Sequence, residues 1–406
     1  MESIHKVSNR LPLASLSEGQ NALTGLRRRN AVELLDRLRR GEAATRADLA
    51  RGARLDPKTV TNLIDILLKE GLIVADGLAG SAGGRPAERL ALNAEGLFAV
   101  GVDLGATRLR TVVLDLTGRV RAATAVRRAG GAKNIMAQAI EQIRGNFAES
   151  RAPWRRVAGI GFACPGFLDR NKGIALQAVH LSGWKNVPVG RILSRAFRMP
   201  VSLEESSRAG ALGEMWFGAG RRSREFLTLD FGYGIGTGIV SNGGLLYGAS
   251  ESGGELGHTV VKPRGNWCDC GQRGCLETVA SGEAIARRSG RATALAAVEA
   301  AEAGDVRCRR IIAEAGRLLG AAAANLINLL NPDTAILNGG LCRAGDLLLA
   351  PFHEALRQHA VPRSLAAANI TLSPLGEFAG AMGAAMIPLQ SYFQATSSQR
   401  LVVSGQ

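Results

Sequence analysis

Apolar residues recur at helical spacing from about Arg29 onward: Val32, Leu34, Leu35 and Leu38 form a stripe that stops at Gly41. Thr45 is a helix N-cap by type, because its hydroxyl accepts a backbone N–H. It precedes a short second helix, RADLARGA, with Leu49 and Ala50 turned inward. Asp56 caps a third helix, and Pro57 sits at its first position, where a missing N–H costs nothing. That helix, PKTVTNLIDILLKE, ends at Gly71 and keeps Val60, Leu63, Ile64, Leu67 and Leu68 on one face. Lys58, Thr59, Thr61 and Asn62 lie at its polar front. Two strand-like stretches follow, LIVA and RLALN, joined by the glycine-rich GLAGSAGGRP. This order predicts a winged helix-turn-helix over residues 1–92. In such a module the front of the third helix enters the major groove, where Thr59, Thr61 and Asn62 touch base edges and Lys58 a phosphate. Arg85, on the hairpin tip, reaches a narrow minor groove. A generic three-helix interaction module is the other reading of the same pattern.

After Asn93 the period changes. LFAVGVDLGATRLRTVVLDLTGRV is an apolar strand, a glycine turn holding Asp103, Gly105 and Thr107, and a second, alternating strand. The grammar returns in FLTLDFGYGIGTGIVSNGGLLYG, whose turn carries Asp230, Gly232, Gly234 and Gly236. Two like hairpins predict a duplicated, two-lobed α/β unit over residues 93–406 with a cleft between the lobes. Glycine turns of this kind let backbone N–H groups approach a phosphate. A third, AILNGGLC, suits the adenosine of a nucleotide. The Leu318–Leu330 stretch is broken by Asn325 and Asn328 and reads as a packed helix. The segment GEFAGAMGAAMIPLQSYF has small residues on one face, suited to packing back on the first lobe or on a partner chain.

Composition alters this picture little. No run of eighteen apolar residues occurs, and no apolar signal region opens the chain, so a cytoplasmic protein without a membrane partner is expected. The formal charge of +15 suggests an anionic partner, yet residues 1–92 hold 15 basic and 11 acidic side chains, only +4. Cysteine usage is more specific. Of six cysteines, Cys268, Cys270 and Cys275 cluster within eight positions, ten residues after His258. In a reducing compartment these suit a closed, structural Cys3His zinc site better than a disulfide. Cys164, Cys308 and Cys342 stand alone and read as small core residues.

The ordered motifs DLGAT, ACPGFLD, HLSGWKNVP, GGELGH and CDCGQRGCLE resemble the signature of the ROK family of repressors and sugar kinases. The resemblance spans nearly the whole chain and implies an actin-like (ribonuclease H-like) fold. It also implies zinc on His258, Cys268, Cys270 and Cys275, and sugar contacts from Glu255, His258 and Glu277. The N-terminal helices are like those of the family's regulators. Family kinases carry Glu-Asn-Asp-Ala-Asn before a helix ending in Leu-Gly-Glu, and the aspartate is their general base. Here LEESSRAGALGE puts Glu205 in the asparagine place and Ser206 in the aspartate place. A serine hydroxyl takes up no proton near neutral pH, and losing a positioned base costs roughly 10²–10⁴ in rate. Ala106, Arg108 and Tyr233 depart from the family's phosphate turns, which are therefore read as vestigial. The resulting expectation is a sugar-responsive regulator, a repressor released by a neutral or amino sugar or polyol, without kinase activity. It would bind operator DNA as a homodimer or homotetramer. An active kinase with an attached DNA-binding domain, and a regulator with a protein-docking sensor, are the alternatives.

Overall fold

The computed structural model describes residues 21–79, 86–178, 181 and 183–394. Arg85 falls outside these residues, as does His180 of the HLSGWKNVP motif. The first helices form where capping chemistry directs: α1 (Asn21–Arg40), α2 (Arg46–Ala53) and α3 (Pro57–Lys69). The Thr45 hydroxyl accepts the Asp48 N–H at 3.2 Å, and the Asp56 carboxylate accepts the Thr59 N–H at 3.1 Å. β1 (Ile73–Leu78) and β2 (Glu88–Leu92) then pair antiparallel.

The rest of the chain is two lobes of one topology. The first holds β3 (Phe98–Leu104), β4 (Arg108–Asp115), β5 (Val120–Arg127), α4 (Ala132–Ser150) and β6 (Val157–Cys164). It continues through β7 (Phe167–Asp169), β8 (Ile174–Gln177), β9 (Lys185–Val187), α5 (Val189–Phe197) and β10 (Val201–Glu205). α6 (Ser206–Phe217) crosses to the second lobe. There lie β11 (Phe226–Phe231), β12 (Ile235–Ser241), β13 (Gly244–Leu245), α7 (Glu277–Ala280), α8 (Gly282–Ser289), α9 (Ala294–Glu302) and α10 (Val306–Leu330). β14 (Thr334–Asn338), α11 (Asp346–His359), α12 (Pro362–Ala367) and β15 (Asn369–Leu372) follow, and α13 (Ala379–Gln394) closes the described chain.

The sheets run β5-β4-β3-β6-β10 and β13-β12-β11-β14-β15. In each, a three-strand antiparallel meander is extended by two parallel strands, and the central strand carries an aspartate as its next-to-last residue, Asp103 or Asp230. The duplication read from the two hairpins thus holds for the whole sheet order.

α13 returns to the first lobe, the first of its two expected resting places. Gly101 and Gly161 admit it: an added Cβ at either would overlap the Ala381 or Ala384 carbonyl oxygen. α13 also crosses α6 with backbones touching, since a Cβ on Gly383 would overlap the Ala209 carbonyl and one on Gly213 the Ala379 carbonyl. The opposite face of α6 packs on β12, where Gly236 and Gly238 leave room only for Ser207 and Ala211. These glycines serve close approach; none has positive φ.

The N-terminal module does not keep a core of its own. Leu34, Leu49, Ile64 and Leu67 belong to one buried cluster with Leu97, Leu114, Met386 and Leu389. Arg156 ties the seam by donating to the carbonyls of Glu70 at 2.8 Å and Gly96 at 3.1 Å.

Replacing Gly383 by alanine ordinarily gains up to about 1 kcal/mol inside a helix. Here overpacking at the crossing is expected to turn this into a loss of about 1–3 kcal/mol in urea unfolding. Unchanged or greater stability would show that the crossing is looser than described.

Candidate functional site

The two glycine turns face one another across the cleft. Asp103 is buried and raised above its ordinary value by that burial, with Arg110 and Ser206 opposing. Burial, then Asp103, pushes Asp230 up to about 6, again against Arg110. Arg110 lies on β4, opposite Asp103 in the ladder beside the first turn: its guanidinium meets Asp103 at 3.3 Å and Glu377 at 3.3 Å, and Arg108 reaches the same Glu377 oxygen at 3.5 Å. A Cβ on Gly105 would sit 2.9 Å from the Arg110 guanidinium, so an arginine of the chain itself rests where the turn is open. Thr107 is exposed and its carbonyl accepts the Arg128 N–H at 3.1 Å. In the second turn the Gly232 N–H is taken by the Gly234 carbonyl at 3.1 Å, and Tyr233 is 42% exposed.

α6 starts at the floor of the cleft. Glu205 is its N-cap: its oxygens accept the Ser207 N–H at 2.9 Å and the Arg208 N–H at 3.1 Å. Burial pushes Glu205 up to about 7, against the pull of Arg208 and these N–H groups, while Glu255 adds to the rise. A protonated Glu205 donates and accepts, as the amide of the kinase pattern does. The Ser206 hydroxyl donates to Asp103 at 3.3 Å. Glu204, next door, is fully buried and accepts from Arg208 Nε at 2.9 Å and from the Tyr247 hydroxyl at 3.1 Å. Arg170 adds an ion pair to Glu204 at 3.4 Å and lies 4.5 Å from the Tyr247 ring. Burial, then Glu204, pushes Tyr247 up to about 12. Charged groups this deep are retained because each is paired.

Glu255 and His258 stand on one tight turn of the second lobe, with His258 Nε2 3.8 Å from the Glu255 carboxylate. His258 Nδ1 points the other way, 3.5 Å from Cys268 Sγ. Cys270 and Cys275 sulfurs lie 3.7 Å apart, and all four ligand atoms fall within 4.8 Å of one another. Bonds of about 2.3 Å to sulfur in a tetrahedron place neighbouring sulfurs about 3.8 Å apart. The set therefore fits a divalent cation. The loop is built for it: Gly271 and Gly274 have φ of 90° and 77°, conformations that side chains disfavour, and the Cys268 N–H is held by the Gln272 carbonyl at 2.8 Å. Glu277 is fixed from the far side, accepting the Ile235 N–H at 2.8 Å.

The predicted sugar residues thus fall in two groups, Glu205 with Ser206 on α6, and Glu255, His258 and Glu277 on the second lobe. The Glu204–Arg208–Arg170–Tyr247 cluster and the Arg110–Glu377 contact escaped the sequence reading. Glu204 and Arg208 carried a faint signal in their spacing of four; Arg170, Tyr247 and Glu377 are distant in sequence. At the third helix, Lys58, Thr61 and Asn62 are exposed, and Thr59 is half-buried.

A carboxyl raised from 4.5 to about 7 by folding favours its protonated form, so that contribution is present below pH 4.5 and is lost as the pH rises through about 7. Glu205→Gln removes this titration. Its melting temperature is expected to gain on that of the unaltered protein between about pH 5 and about pH 8, and a pH-independent difference would rule out the raised acid.

Known proteins share this architecture. The ROK family profile matches residues 99–391. Over 380 residues the chain is 28% identical to the xylose repressor of Caldicellulosiruptor bescii, covering 89% of this chain and 95% of the repressor. Over 309 residues it is 34% identical to the glucokinase of Halalkalibacterium halodurans, covering 70% of this chain and 92% of the kinase. Among solved structures, a ROK family transcriptional regulator, a homolog of the E. coli MLC protein, superposes with a TM-score of 0.76 at 28% identity over 91% of this chain and 98% of that one. The chain belongs to the ROK family.

Proposed function

We propose that the protein is a sugar-responsive, DNA-binding transcriptional regulator, a repressor released by its sugar without phosphorylating it. One observation carries this reading. α6 begins at Ser206, capped by Glu205, in the cleft and ends at Phe217, and the N-terminal module grips its last turn at Trp216. Arg39 of α1, its side chain only 10% exposed, donates to the Trp216 carbonyl at 3.0 Å and lies 4.1 Å from the indole ring. A cation at a helix C-terminus is favoured by the helix dipole and here also by the aromatic face. Twelve residues make a rigid rod of about 18 Å from pocket to DNA module. The relatives support the same reading: the repressor match takes in 89% of this chain, while the kinase match takes in 70%.

In this reading residues 1–92 are a winged helix-turn-helix with β1 and β2 as its wing. Lys58, Thr59, Thr61, Asn62 and Arg85 meet the operator. Residues 93–406 sense a neutral or amino sugar or polyol through Glu205, Ser206, Glu255, His258 and Glu277. Zinc on His258, Cys268, Cys270 and Cys275 holds that wall. Bound through Nδ1, His258 turns its Nε2–H toward Glu255 and the pocket, the usual carboxylate–histidine–metal relay. Asp103, Gly105, Thr107, Gly232, Gly234 and Gly236 are the remnant of phosphate turns. A homodimer or homotetramer sets two reading helices at the spacing of a palindrome.

A second reading, an active sugar kinase with a DNA-binding module, is favoured by the 34% identity to a glucokinase. Incubation with ATP and a panel of sugars separates the two. The regulator forms no sugar-dependent ADP, and turnover of roughly one per second or faster would establish the kinase.

Sugar is expected to weaken operator binding by about 5–150-fold. Arg39→Ala should leave sugar affinity within about twofold in calorimetry while shrinking that release in a DNA-binding titration. Full release in the variant would sever α6 from the mechanism. Chelation of the metal is expected to lower the melting temperature and to weaken sugar binding; sugar affinity untouched by metal loss would separate the cysteine loop from the pocket.

A further inference from the structure

Where α1 meets α6 lies a cavity of about 270 Å³, lined by all three parts of the molecule. Leu35 belongs to α1, Leu116, Trp216, Met386 and Leu389 to the first lobe and its helices, and Arg224 and Asn242 to the second lobe's first hairpin. Its wall is apolar and largely buried. Its rim is not. Two lining carboxylates are committed, Glu33 to Arg37 at 2.8 Å and Asp36 to Arg39 at 2.7 Å and Arg40 at 2.8 Å. Two lining arginines, both exposed, find only backbone: Arg221 the Arg39 carbonyl at 3.5 Å, and Arg224 the Asn242 carbonyl at 3.0 Å. Among the described residues neither makes an ion pair.

An apolar chamber with two unpaired guanidinium groups at its mouth is complementary to one kind of small molecule. We infer that the junction is a second ligand site, separate from the sugar pocket, for a compact amphipathic anion: an aryl or alkyl body with one carboxylate or sulfonate. The body fills the space against Trp216 and Leu389, and the anion meets Arg221 and Arg224. Because each part of the molecule contributes a wall, an occupant holds all three in one arrangement. If the protein is the regulator proposed above, such an anion adjusts DNA binding without competing for the sugar.

The test uses the full chain and 8-anilinonaphthalene-1-sulfonate as the probe, with no DNA or sugar present, so that its outcome is independent of the regulator reading. The expected result is saturable, blue-shifted fluorescence at one equivalent. The double variant Arg221→Glu, Arg224→Glu should weaken binding by about tenfold or more, as loss of charge-assisted contacts does. Leu92→Trp, which fills the cavity from the β2 side, should abolish the signal while far-ultraviolet circular dichroism is unchanged. Non-saturating fluorescence, or affinity in the double variant within about twofold of the unaltered protein, overturns the site. So does displacement of the probe by a sugar shown to bind.

Discussion

The structure depends on how closely backbones approach around α6. On one side α13 crosses it at Gly213 and Gly383; on the other β12 lies against it at Gly236 and Gly238. Close-packed interiors do not yield to small displacements but shift between discrete arrangements. A helix clasped this way transmits motion along its length instead of absorbing it. The residue types follow from that constraint: Ser207, Ala209, Ala211 and Gly213 line faces with no space for larger side chains. Glu205 and Ser206 at the front of α6 and the Trp216 grip at its end are two consequences of one packing solution.

Electrostatics gives the cleft a different character from its outline. Glu204 sits at the centre of a buried set with Arg208, Arg170 and Tyr247, joining the first lobe to the loop that leads to Glu255. In the same lobe, Asp103 is matched by Arg110, which is itself shared with Glu377 just ahead of α13. A polyphosphate at the first turn would meet a cation already paired, and the Ser206 hydroxyl donates to the same Asp103. Asp230, facing it, is instead pushed up by burial and by Asp103, so the acidic pair of the two turns is matched only on the Asp103 side.

The cysteine loop is rigid for a separate reason. Positive-φ glycines and the turn at Glu255–His258 bring four ligand atoms within bonding reach of one ion, and the same turn aims Glu255 into the cleft. The cysteine cluster and the Glu255 carboxylate are therefore set by one turn, with His258 facing each through a different nitrogen.

Local chemistry alone settled much of this. Thr45 and Asp56 cap where their side-chain oxygens can reach the free N–H groups of a helix start. The stripe on α3 fixes its buried face. Paired hairpins forecast two like lobes, and Cys-x-Cys spacing after a histidine forecast that these four side chains gather, because each of these signals is written locally. The tertiary structure decided what depends on groups far apart in sequence. It joined apolar residues of the N-terminal helices and of the first lobe in one buried cluster. It brought Arg39 onto Trp216, Glu377 onto Arg110, and Tyr247 into the gap between Arg170 and Arg208. It also made Glu205 the cap of α6, a role its sequence position did not announce. Such pairings carry no periodicity for a sequence to display: they exist only once long loops have closed and burial has made an unpaired charge too costly to keep.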